Sequence, residues 1–116
     1  MFTNDPARGE QVRQQVESAP LEVKIRYLCE SMAADLTGDY GNLKVPLLAL
    51  IPAFNEKFLA DPANSYYKFV FQDAWQAFSK NPRVQRVTIP DARALLLDDQ
   101  PKLADDAIAS FIRATK

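Results

Sequence analysis

Val45-Pro46-Leu47-Leu48-Ala49-Leu50-Ile51 is an apolar run with no alternation of polar and apolar residues. A strand half-exposed to water alternates; an unbroken run of this length is the pattern of a strand covered on both faces, as in a parallel sheet. Pro46 lacks an N–H donor, which confines it to the beginning of such a strand or to a sheet edge. The apolar stretch continues to Phe54 but holds two prolines and is too short to span a bilayer, so no membrane partner is expected.

Downstream, the stretch from Pro52 to Ala60 reads as a loop, and Asp61-Pro62 or Asn64-Ser65 as the beginning of a long helix. Tyr67, Val70, Phe71, Ala74, Trp75 and Phe78 fall on one side of that helix, and Asn81-Pro82 ends it. Residues 83–89 form a second strand candidate rich in β-branched side chains, closed by Pro90-Asp91. A last helix begins near Gln100-Pro101 with Leu103, Ala107, Ile108, Phe111 and Ile112 on its inner face. Upstream, Asp5-Pro6 is a capped helix start. Ser18-Ala19-Pro20 separates that helix from a second one bearing the stripe Leu21, Ile25, Leu28, Cys29, Met32 and Leu36. Gly38 is the expected stop, followed by turn-forming residues 39–42.

The resulting order is helix, helix, strand, helix, strand, helix in a single α/β domain spanning residues 1–116. Two strands joined by a helix should lie parallel with a right-handed crossover. A two-stranded parallel sheet then has two unpaired edges, and each buried backbone group without a partner costs about 1–3 kcal/mol. The sequence therefore calls for a cover: the chain's own helices, a second copy forming a homodimer, or a companion chain.

Composition excludes much chemistry. With no histidine, a His-based triad, a histidine acid or base and a His-ligated zinc site are impossible within the chain. One cysteine permits neither an internal disulfide nor a cysteine-rich metal centre. With 14 Lys plus Arg against 15 Asp plus Glu, and no basic block, no nucleic-acid partner is expected. The opening residues lack a basic segment followed by an apolar one, which makes a cytoplasmic location the expectation.

The segment 45–55, from Val45-Pro46 to Phe54-Asn55, resembles the penultimate strand of α/β-hydrolases and the loop that carries their triad acid. About thirty residues later, Val84 to Ile89 and then Pro90-Asp91-Ala92-Arg93-Ala94, with Gln100-Pro101 beyond, resemble the final strand, the histidine loop and the start of the last helix. The resemblance covers residues 45–116, and residues 6–44 stand where that family inserts lid helices. It implies a βαβα unit from the carboxy-terminal part of the fold. The family's chemistry does not carry over: Asn55 stands at the acid position and Ala94 at the histidine position. An amide does not stabilise an imidazolium as a carboxylate does, and alanine supplies no base. No glycine lies two residues from a serine, so the nucleophile elbow is missing as well.

These residues lead to the expectation of a non-catalytic, truncated α/β-hydrolase-like fragment or domain that serves in oligomerisation or binding, with no cofactor and no metal. Two alternatives stand beside it. One is half of a split serine hydrolase whose partner chain brings nucleophile and base. The other is a degenerate domain for a small apolar ligand, with Phe54, Phe58, Tyr66 and Trp75 as lining. Glu56 is expected as a solvated carboxylate and Cys29 as a buried, inert thiol on its helix stripe. Asp98, Asp99, Asp105 and Asp106 suit a helix start and a solvated face better than a calcium loop. Tyr66 and Phe69 lie off the main aromatic face and call for a second contact surface.

Overall fold

The computed structural model describes residues 2–34, 42–71 and 73–115. The Asp5 carboxylate caps α1 (Pro6–Ser18) by accepting from the backbone N–H of Ala7 and Arg8, with Pro6 at the first turn where no donor is required. After Pro20 comes α2 (Leu21–Ala33). Leu36, Gly38 and residues 39–41, where the end of this helix and its turn are expected, lie outside the described residues.

The strands are β1 (Leu47–Ala53) and β2 (Val84–Pro90), and they pair in parallel with Leu47 opposite Val84 and Ala53 opposite Pro90. The first strand thus begins two residues later than expected, leaving Pro46 outside the ladder, and runs two residues further. Pro52 and Pro90 are accommodated because each strand has an outer side where no partner awaits an N–H. Among the described residues the sheet has two strands.

Between the strands the expected single long helix is replaced by shorter pieces. Asn55 accepts from Phe58 N–H at 2.8 Å and starts the single turn α3 (Glu56–Leu59), within the stretch expected as loop. A 3₁₀ turn (Pro62–Asn64) leads into α4 (Ser65–Phe71), and a 3₁₀ helix (Asp73–Lys80) follows. Aromatic spacing accounts for the change of pitch. Tyr67 and Phe71, four apart, stack at 6.2 Å in the α-helical part. Trp75 and Phe78, three apart, meet at 5.4 Å where a 3₁₀ turn eclipses i and i+3.

Register sorts the sheet into two faces. Leu48, Leu50 and Pro52 share one with Gln85, Val87 and Ile89; Leu47, Ala49, Ile51 and Ala53 share the other with Val84, Arg86, Thr88 and Pro90. The first face holds one core cluster, where Ile89 packs with Ala92 and Leu96 and against Leu50 and Val87, while Ala49 and Ile51 are buried on the second. Leu96 belongs to the turn α5 (Leu96–Asp99), and α6 (Pro101–Ala114) closes over both strands. Its inner face centres on the fully buried Ala104 with Ala107, Ile108 and Phe111, whereas Leu103 and Ile112 are exposed, contrary to their expected inward placement. Alanine at 104 and 107 lets the helix backbone approach the strands closely, which leaves larger flanking residues outside the contact.

The largest correction concerns α2. Its stripe is bare: Leu21, Ile25 and Leu28 are more than half exposed, as are Val23 and Tyr27, and Cys29 is exposed rather than buried. Periodicity places these residues on one face, but no described element packs over that face. Tyr66 and Phe69 are exposed as well. Among the described residues, no helix is long and apolar enough to cross a membrane.

Candidate functional site

In parallel α/β sheets, ligands and catalytic groups gather at the carboxyl ends of the strands. Here β1 ends at Ala53 and β2 at Pro90, so Phe54-Asn55 and the loop 91–95 meet at that rim. Asp91 turns the chain with φ 49°, a left-handed conformation that aspartate tolerates better than most side chains. The next residue, Ala92, is buried against the core.

The rim is occupied by the chain's own amino-terminal segment. Asp99 organises it: one carboxylate oxygen accepts from the Thr3 hydroxyl and from Asn4 N–H at 2.7 Å, and the other accepts from Arg93 N–H at 2.8 Å. Leu95 N–H donates to the Phe2 carbonyl at 2.8 Å, and the Asn4 amide donates to the Asp91 carbonyl at 2.6 Å. The Arg93 guanidinium donates to the Thr3 carbonyl at 3.4 Å and lies over the Phe58 ring, 4.9 Å from its centroid. Thr3 is fully buried with its hydroxyl satisfied. Arg8, from α1, pairs with Asp98 at 2.9 Å and ties the first helix to the same corner.

The space left between Asn4, Asn55, Asp91 and Arg93 is about 10 Å³. That is no more than one water requires. Asn55, at the position resembling the family's acid, spends its side-chain carbonyl on the α3 cap, and Ala94, at the histidine-like position, is half-buried in the loop without a functional group. The rim brings both to one end of the sheet without assembling acid–base or nucleophilic chemistry from them.

Phe54 and Phe58 do come together, stacked at 5.3 Å, but they enclose aromatic neighbours rather than a pocket: Tyr67 lies 5.9 Å from Phe54 and 5.5 Å from Phe58, and Phe71 lies 6.1 Å from Phe54. Tyr66 touches the edge of this cluster through Tyr67 at 6.2 Å and faces outward. Trp75 pairs with Phe78. The four residues expected to line one apolar cavity therefore do not share the rim recess, which only Phe54 and Phe58 reach.

Thr3, Asn4, Asp99 and Arg93 are the organising residues that sequence reasoning missed. Asp99 was legible as a carboxylate near a helix start, but its partners lie up to 96 positions away. Among the described residues, no cluster of three or more Cys, Asp or Glu is placed to hold a metal ion. Compared with known protein families, curated proteins and solved structures, the chain matches none.

Proposed function

We propose that this chain is a non-catalytic α/β module that works by association, with a second copy of itself as the partner. The observation that carries the reading is its surplus of surface. A compact monomer of 13.0 kDa exposes about 6,300 Å². This chain exposes 8604 Å², an excess of roughly 2,300 Å². Its radius of gyration, 16.0 Å, likewise exceeds the about 13 Å of a compact domain of this length. An obligate homodimer commonly hides about 1,000–2,500 Å² per copy, the same scale as the excess.

Two features of the described residues support the reading. Among the described residues both strands are sheet edges, and α2 presents Leu21, Ile25 and Leu28 to solvent on one stripe. Sequestering these groups in a two-fold interface removes the aggregation hazard of an open edge together with the cost of a wetted apolar stripe. The closed rim, an asparagine used as a helix cap and the absence of histidine support the non-catalytic half of the reading.

Sedimentation equilibrium of the full chain and of the double variant Ile25→Glu/Leu28→Glu tests the proposal. The native chain should associate at micromolar concentration. The variant should dissociate at least tenfold more readily while keeping its circular dichroism spectrum. Equal self-association of both would remove α2 from the interface. Turnover of an activated ester, inhibited by a serine-directed phosphonate, would overturn the non-catalytic assignment.

A further inference from the structure

The sheet face on which Ala49 and Ile51 are buried also carries the exposed Arg86. Arg86 sits on that face level with Ala49, with Thr88 two residues further along the same strand and Ile51 beside Thr88. Beside it lies a groove of about 640 Å³ lined by Ala53, Thr88 and the largely covered Ile51 of the strands and by Lys68, Asp73 and Gln76 of the crossover. That volume is in the range of sites for small organic ligands.

The charges in the groove are unequally matched. Lys68 donates to both Asp73 carboxylate oxygens, at 2.9 and 3.0 Å, so its charge is answered locally. Among the described residues Arg86 has neutral acceptors: its Nη1 donates to the Trp75 carbonyl at 3.5 Å and the Gln76 side-chain oxygen at 3.3 Å. These long contacts orient the guanidinium without neutralising it. The opposite edge, with Nε and Nη2 side by side, takes no described partner. Two parallel N–H donors at fixed separation match the two oxygens of a carboxylate, and the preset orientation lowers the entropy cost of that pairing.

We propose that this groove binds a small organic monocarboxylate. Its head group pairs with the Nε/Nη2 edge of Arg86, the Thr88 hydroxyl borders it, and a short apolar body lies along Ile51 and Ala53. Lys68 and Asp73 form a neutral wall that leaves one positive charge to answer one negative charge. The site uses side chains of the sheet face rather than the backbone edges and α2 residues on which the association proposed above rests, and is argued independently of it.

The test is a nuclear magnetic resonance titration of the full chain with hexanoate, following the Arg86 side-chain Nε–Hε signal and the amides of Ile51, Ala53 and Thr88. Saturable shifts at millimolar hexanoate are expected, with none from hexanol. Arg86→Ala should weaken binding by about tenfold or more, and Arg86→Lys, which keeps charge but loses the fork, by a smaller factor. Amide signals away from the groove report that each variant stays folded, and Gln76→Ala, which releases Nη1, should weaken binding several-fold. The proposal is overturned by the lack of saturable shifts at tens of millimolar hexanoate, by equal binding to Arg86→Ala, or by inorganic phosphate binding as tightly as hexanoate.

Discussion

The rim around Asp99 and the helix α2 contain equally ordinary residues, yet one is interlocked and the other bare. At the rim, Thr3 and Asn4 are held through backbone and side-chain bonds to Asp91, Arg93 and Asp99. On α2, Leu21, Ile25 and Leu28 recur at helical spacing and touch little. The difference teaches that amphipathic periodicity specifies which face of a helix is apolar, while the identity of its cover depends on tertiary partners. The rim is polar and complete within one copy; the α2 stripe is apolar and incomplete.

The largest expected effect of breaking that contrast lies in the core beneath the rim. Ile89→Ala removes the most buried large side chain of the sheet and should destabilise the fold by about 2–4 kcal/mol in urea unfolding. Asp99→Ala leaves the buried Thr3 hydroxyl and the Arg93 N–H without their acceptor. It should cost about 2–3 kcal/mol and release the amino-terminal segment, seen as faster hydrogen exchange at Leu95, whose N–H donates to the Phe2 carbonyl, and at its neighbours Ala94 and Leu96.

The bare region should respond differently. Tyr27 projects from α2 off the main stripe and is 73% exposed, so Tyr27→Ser should change unfolding stability by no more than about 0.5 kcal/mol. A loss comparable to that of Ile89→Ala would mean that Tyr27 is packed rather than exposed.

The smallest effect concerns α1. Hydrogen bonds from Arg13 and Gln14 hold the Glu10 carboxyl at about 2, below its ordinary 4.5. Because the folded value is depressed, the contribution is complete above pH 4.5 and is lost as pH falls from there through about 2. Glu10→Gln should flatten a slight loss of α1 helicity over that window. High salt should shrink the effect, since the side chains are solvent-exposed.

Much of the architecture was legible locally. The non-alternating Leu47–Ile51 segment announces a parallel strand, Asp5-Pro6 a capped helix, and Gln100-Pro101 the last helix. The crossover was not, because aromatics spaced by three and by four residues favour different pitches, and the choice between them is made by packing. Cys29 was misplaced for a related reason: a stripe promises burial only if something arrives to cover it. The Thr3–Asp99 contact joins opposite ends of the chain and leaves no local pattern. Asn55 and Ala94 follow the carboxyl ends of the two parallel strands, but the plug that closes that end comes from residues with no motif of their own.

Multi-angle light scattering of the full chain during size-exclusion chromatography, across a concentration series, tests the claim of incompleteness most directly. Self-association predicts a mass of twice the 13.0 kDa chain at micromolar concentration, falling toward one copy on dilution. A single species of one chain's mass, unchanged up to the highest concentration attainable, would contradict it.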